Sequence, residues 1–423
     1  MKVVLYPERK KWPALLQRPV IDNKVLETAV TEILEAVRDK GDEALIGFAR
    51  KFDGIVLSDL TVPPSAFDAA EQLLSEELKV AIQTAKSNIH RFHAAQFSAE
   101  EPIDTMPGIS CWRRWIGIEK VGLYIPGGSA PLFSTVLMLG IPAAIAGCKE
   151  IILCTPPDKE GNIHPAILYA AKQAGISRVF KAGGAQAIAA MTWGTATVPA
   201  VYKIFGPGNQ YVTCAKQLVQ RSGMAIDMPA GPSEVCVLAD KSANVACVAA
   251  DLLSQAEHGV DSQVLLVTTD ENMVTPVLDE VYRQLEQLPR KELAAKALEN
   301  SKVIVVNDTE EALALINEYA PEHLIISCED GDALGMQVSN AGSVFLGNYS
   351  PESAGDYASG TNHTLPTNGY AKAYSGVSID SFVKKITYQK LSRDGLHTIA
   401  SAIIHMAEAE GLQAHANAVK IRL

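Results

Sequence analysis

From Val121 to Leu346 the chain alternates short apolar runs with longer stretches whose apolar positions recur every three or four residues. The short runs, rich in Val, Ile and Leu, predict strands, and the longer stretches predict helices. Strands are expected at 122–125, 150–155, 178–181 and 202–205, then again at 234–238, 263–268, 302–306, 323–328 and 343–346. Strands that alternate with helices imply βαβ units and a parallel sheet. The two sets echo each other. Gly147 to Asp158 matches Gly259 to Asp270 in pattern and length, and Ser177-Arg-Val-Phe-Lys has its counterpart in Ser301-Lys-Val-Ile-Val. The fold class is therefore α/β, with two incomplete, duplicated Rossmann-like parallel-sheet domains.

The flanks carry other patterns. Residues 1–22, with Pro7, Pro13 and Pro19, predict an extended arm. Long helices are expected from Asp22, a good N-cap, to Phe52, and from Pro64 to Gln96. Between Met106 and Ile125 the pattern turns to strands. The Ala/Val/Leu-rich stretch Ser242 to Leu253 predicts a buried helix, with Gly259 stopping it as a C′ residue. After Gly376 the alternation ceases. Residues 377–389 read as extended, and helices are expected at 394–408 and 413–419. So short a tail cannot cover a core of its own. It either packs on its own domain or crosses to a second subunit.

Composition narrows the function classes. The 423 residues are 48% hydrophobic and 20% charged, with a net charge of −11. Without a Lys/Arg cluster, that balance argues against nucleic-acid binding. The most apolar window, 130–148, is interrupted by Ser134, Thr135, Gly140 and Pro142, so it predicts a buried helix and not a membrane span. The first residues lack the apolar run of a signal peptide. Seven scattered cysteines with no C-x-x-C fit reduced thiols in a cytoplasmic protein.

Candidate chemistry gathers in loops. Three glycine turns, at 125–131, 181–187 and 205–211, each follow a predicted strand and precede a helix. Ligands of open parallel sheets bind off the carboxyl ends of strands, where backbone N–H groups can receive a pyrophosphate. Tyr124, Gln186 and Asn209 lie beside these turns. Ser233, in Gly-Pro-Ser-Glu, is placed for a substrate contact or a turn. Glu322-His323 sets a carboxylate beside an imidazole at an element junction, which suits acid–base work. Asp356 and His363 bracket a small-residue loop, read as neither helix nor strand. Gln255 and His258 share a helix face, and Glu410 and His415 lie in the tail. Gln255, His258, Asp356 and His415 together offer two imidazole nitrogens and two oxygens, a donor set suited to Zn²⁺.

As a set these motifs resemble histidinol dehydrogenase. They are Gln-Ala-Glu-His at 255–258, Pro-Glu-His at 321–323, Gly-Asp-Tyr-Ala-Ser-Gly-Thr-Asn-His at 355–363 and Glu-Gly-Leu-x-Ala-His at 410–415. Tyr-Ile-Pro-Gly-Gly at 124–128, Gly-Gly-Ala-Gln at 183–186, Gly-Pro-Gly-Asn at 206–209 and Gly-Pro-Ser-Glu at 231–234 join them, so the resemblance spans the chain. It implies a zinc-containing, NAD-dependent cytoplasmic homodimer that oxidises L-histidinol to L-histidine through the aldehyde. Gln255, His258, Asp356 and His415 would hold the zinc, and Glu322 and His323 would be the acid–base pair. Ser233, His323, His363 and Glu410 would line the substrate together with the zinc ligands. Tyr124, Gln186 and Asn209 would hold the nucleotide, and the tail would cross to the partner.

The expected organisation is an arm (1–22), a catalytic domain (23–122 with 235–376), an NAD domain (123–234) and a dimerisation tail (377–423). Three other readings compete. They are a related dehydrogenase for another primary alcohol such as a sulfonated diol, a zinc hydrolase with structural glycine turns, and a non-catalytic binding module.

Overall fold

A computed structural model describes residues 1–18, 23–97, 100–127, 131–229 and 231–423. The N-cap expected at Asp22, Pro19, the Gly128–Ala130 part of the first glycine turn, and Ala230 lie outside the described residues.

Lys2–Leu5 (β1) opens the chain, and Ile103–Met106 (β2) and Ile109–Gly117 (β3) follow a long helical stretch. Lys120–Tyr124 (β4), Glu150–Thr155 (β5), Arg178–Lys181 (β6), Lys203–Phe205 (β7) and Ala225–Ile226 (β8) form a parallel sheet ordered β6-β5-β4-β7-β8. Glu234–Ala239 (β9), Gln263–Thr268 (β10), Lys302–Val305 (β11), His323–Ser327 (β12) and Ser343–Leu346 (β13) form a second, ordered β11-β10-β9-β12-β13. Each sheet puts its first strand third in that order, with the next two strands on one side and the last two on the other. That identical order supports the duplication read from the sequence. Helices cover both faces, so the central strands are apolar almost throughout; all six residues of β9 are buried. Val383–Leu391 (β14) pairs antiparallel with β3, which also pairs with β2, in a small third sheet.

Several expectations need correction. The N-terminus is not a free arm: β1 is the edge strand of the second large sheet, paired with β11, and Trp12 is buried against that sheet's core. A strand edge is a row of backbone donors and acceptors, and β11 offers one. The helices expected to run unbroken are each split. Gly41, at φ +56, separates Asn23–Lys40 from Asp42–Phe48, and the Ser75 hydroxyl caps a new helix, Glu76–Ala94, after Pro64–Gln72.

These helices do not accompany 235–376. Val30, Leu34, Phe67, Ile82 and Ile89 share core clusters with β4–β7, so the division by packing differs from the expected one. The helix at 245 runs Val245–Ala256, capped at its start by the Asn244 side chain, and its C-cap is Glu257 in right-handed geometry. Gly259 has no positive φ and is not a left-handed C′ residue. The 130–148 window contains the buried helix Phe133–Ile145, and no helix among the described residues is long and apolar enough to cross a membrane.

Candidate active site

Because β12 begins at His323, Glu322 and His323 stand at the amino edge of the second sheet. This is the opposite of the strand end where the glycine turns sit. The helix after β9 runs back to the same edge, which brings Gln255 and His258 there at its C-terminal end. The stretch around Asp356 is not a loop: Glu352–Tyr357 is a short helix that supplies Glu352 and Asp356 one turn apart. His363 then reaches across to the first sheet's domain, with Nε2 3.0 Å from Thr135 Oγ1, so the site lies where the two domains meet.

His323 is 4% exposed, and its surroundings assign its tautomer. Nδ1 lies 3.2 Å from the Glu234 carbonyl oxygen, which only accepts, so Nδ1 carries the proton. Nε2 is buried, has no hydrogen-bond partner and stands 3.6 Å from Asp356 Oδ1. Burial disfavours the imidazolium. The carboxylates of Glu352 and Glu322, at 3.8 and 3.7 Å from Nδ1, together with Asp356, outweigh it and push the pKa well above its ordinary value. Glu322 accepts the Glu234 N–H at 2.9 Å, and burial pushes its carboxyl up to about 8. Glu234 is itself braced. Arg18 meets its two carboxylate oxygens at 2.5 and 2.7 Å and stacks 4.1 Å over the Tyr319 ring.

A metal-sized group of donors stands beside His323. Donor atoms of His258, Glu352 and Asp356 all lie within 4.8 Å of one another. Both amide atoms of Gln255, one helix turn from His258, are buried without a partner, as is Glu352 Oε2. Buried polar atoms without partners are rare and call for a ligand. Glu352 was missed in the sequence because Ser350-Pro-Glu-Ser-Ala reads as a loop; its spacing of four from Asp356 is the signal that could have found it. Asp251, four residues before Gln255, was missed too. Burial raises its carboxyl to about 7, and that of Glu352 to about 8.

The remaining expected residues divide. Ser233 is half-buried just ahead of β9, whose Val235 is in register with His323. His363 Nδ1 donates to the Asp356 carbonyl at 2.9 Å, so Thr135 must donate to its Nε2, and both nitrogens are engaged. Glu410 and His415 are not brought to this cluster. They are exposed near the end of the tail, beyond β14, where Met406 is 66% and Ile421 71% exposed.

Tyr124, Gln186 and Asn209 line one cleft of about 990 Å³ off the carboxyl ends of β4, β6 and β7. That volume suits a nucleotide-sized ligand. The Tyr124 hydroxyl accepts the Gly184 N–H at 3.1 Å. Asn209 Oδ1 caps the helix Gln210–Gln220 by accepting from Tyr211 and Val212 N–H, which leaves its amide N–H₂ for a ligand. Side chains at Gly127 and Gly183 would meet Pro156, so these turns are glycine for close approach as much as for backbone freedom.

The histidinol dehydrogenase family model matches residues 16–423. The chain belongs to the histidinol dehydrogenase family. It is 61% identical over 423 residues to the histidinol dehydrogenase of Bacteroides thetaiotaomicron, covering 100% of this chain and 99% of that one. Against the chloroplastic histidinol dehydrogenase of Arabidopsis thaliana it is 50% identical over 413 residues, covering 97% and 88%. The crystal structure of histidinol dehydrogenase from Elizabethkingia anophelis matches with a TM-score of 0.97 at 57% identity, covering 100% of this chain and 98% of that one. As a histidinol dehydrogenase family member the chain is an oxidoreductase.

Proposed function

We propose that this protein oxidises L-histidinol to L-histidine in the cytoplasm, through the aldehyde, with two NAD per turnover and one zinc per subunit. The observation that carries the reading is the His323 constellation: a buried imidazole whose free Nε2 faces a cluster of metal-type donors. Gln255, His258 and Asp356 would hold the zinc together with His415 of the partner subunit, and the partnerless Gln255 amide fits that role. When bound, the zinc would take the substrate's imidazole and amine as donors and so fix its carbinol carbon. NAD would accept each hydride from the cleft lined by Tyr124, Gln186 and Asn209.

The chain's own residues supply the rest. His323 Nε2 accepts the hydroxyl proton as the first hydride leaves. With a cation held by Asp356 and His258, the Asp356 charge would be drawn away from His323 and the imidazole's pKa would fall back toward its ordinary value. Glu322 takes the proton of the water that adds to the aldehyde, which the second hydride transfer requires. Ser233, His363 and the partner's Glu410 line the substrate. The seven free thiols, three of them buried, support a reducing cytoplasmic setting.

The homodimer reading rests on the tail, whose exposed Met406, Leu412 and Ile421 leave apolar surface to be covered. The test of the whole is NADH formation from histidinol: two NADH per histidinol supports it, and none from metal-replete protein overturns it. A sulfonated diol serves as the competing substrate. A hydrolase forms no NADH.

Chelation is expected to abolish turnover and leave a folded dimer. The hydrophobic clusters packed around the two sheets do not depend on the metal donors, unlike a small zinc-nucleated domain. Circular dichroism and sedimentation of the stripped protein check this, and collapse of the fold would make the metal structural.

A further inference from the structure

The peptide backbone of Gly206 is held on both sides by one buried ion pair. Lys216, on the helix Gln210–Gln220, and Asp227, just after β8, meet at 2.5 Å, and their side chains are 3% and 1% exposed. Lys216 Nζ donates to the Gly206 carbonyl at 2.8 Å. Asp227 Oδ2 accepts the Gly206 N–H at 2.8 Å, and Oδ1 accepts the Met228 N–H at 2.7 Å. Such a pair is a poor device for stability alone, because the cost of desolvating two charges cancels much of their attraction. Packed apolar residues of similar volume often serve as well.

What the pair does here is set a turn. Gly206 follows β7 at φ +131, so close to β4 that a Cβ would lie 2.0 Å from the Tyr124 carbonyl oxygen. The turn continues through Gly208 into Asn209, which lines the cleft beside Tyr124 and Gln186. Neither Lys216 nor Asp227 is among the residues that line this cleft. Both grip the backbone that packs against Tyr124 and leads into Asn209.

We propose that Lys216 and Asp227 are positioning residues for the dinucleotide: they fix the 206–209 turn and, through it, the spacing of Asn209 from Tyr124. The inference rests on reading this cleft as the NAD site, so NADH is first titrated into the wild-type protein by fluorescence. No binding there sinks the cofactor reading itself. The test proper uses the double variant Lys216→Met/Asp227→Leu, which leaves no lone buried charge, and the near-isosteric Asp227→Asn. Both are expected to stay folded and to raise the Kd for NADH and the KM for NAD about tenfold or more. The kcat at saturating NAD and the KM for histidinol should change less than about threefold. A merely structural role would lower the active fraction, and so kcat, without moving the KM for NAD. A folded double variant that binds NADH as tightly as wild type overturns the proposal. So does failure of both variants to fold by circular dichroism, which would make the pair a structural element.

Discussion

Glu322→Gln is expected to slow oxidation of the aldehyde by about 10²–10⁴-fold, the usual loss on removing a general base, and to slow oxidation of the alcohol much less. In the proposed reaction only the second half needs an activated water; in the first, His323 would take the hydroxyl proton. The substitution is nearly isosteric, and a Gln side-chain oxygen can still accept the Glu234 N–H that Glu322 now takes at 2.9 Å, so the fold should survive. The pH dependence follows from the same group. Burial raises the Glu322 carboxyl to about 8, and only its ionised form can take a proton. Aldehyde oxidation by the wild-type protein should therefore climb with pH toward about 8, and the Gln variant should lose that limb. Assays started from histidinol and from histidinal separate the two steps. An equal loss in both would contradict the role given to Glu322.

Mixed dimers should recover activity that neither parent has. His258→Asn and His415→Asn would each remove one of the proposed zinc donors, so neither variant alone is expected to be active. In the structure, His258 stands with Glu352 and Asp356, whereas His415 is exposed on the helix Gln413–Lys420. If the tail crosses to the partner, a hybrid of the two variants contains one site with both lesions and one with neither. It should then show about half of wild-type activity per dimer, by counting intact sites under two-fold symmetry. If each tail serves its own chain, every site keeps one lesion and the hybrid stays inactive. Co-expression with two tags and sequential purification yields the hybrid. An inactive purified hybrid would sink the shared site and leave the zinc assignment standing.

Sequence by itself determined the two sheets and their likeness. The central strands are buried on both faces, so their apolar runs are continuous and their edges sharp: Glu150–Thr155, Arg178–Lys181, Gln263–Thr268 and Ser343–Leu346 stand where the pattern places them. Motif order likewise carried the family. Tyr124, Gln186 and Asn209 were legible as one cleft because the carboxyl ends of neighbouring parallel strands meet by rule.

Tertiary structure decided what depends on contacts distant along the chain. β1 looked like an arm because edge pairing with β11, some 300 residues on, leaves no local periodicity. The helices of 23–94 carry an apolar stripe that any sheet could cover, and packing chose the first. Glu322 and His323 lie at the amino edge of their sheet because β12 begins at His323, and a helix returning from β9 and another following β13 bring His258, Glu352 and Asp356 to that edge. Glu352 became a member of the cluster only when its segment folded as a helix. Arg18 with Glu234, and Lys216 with Asp227, are pairs whose partners are single charged residues in unremarkable surroundings. A charge carries no pattern until its counter-charge is placed beside it, and only the packed fold does that.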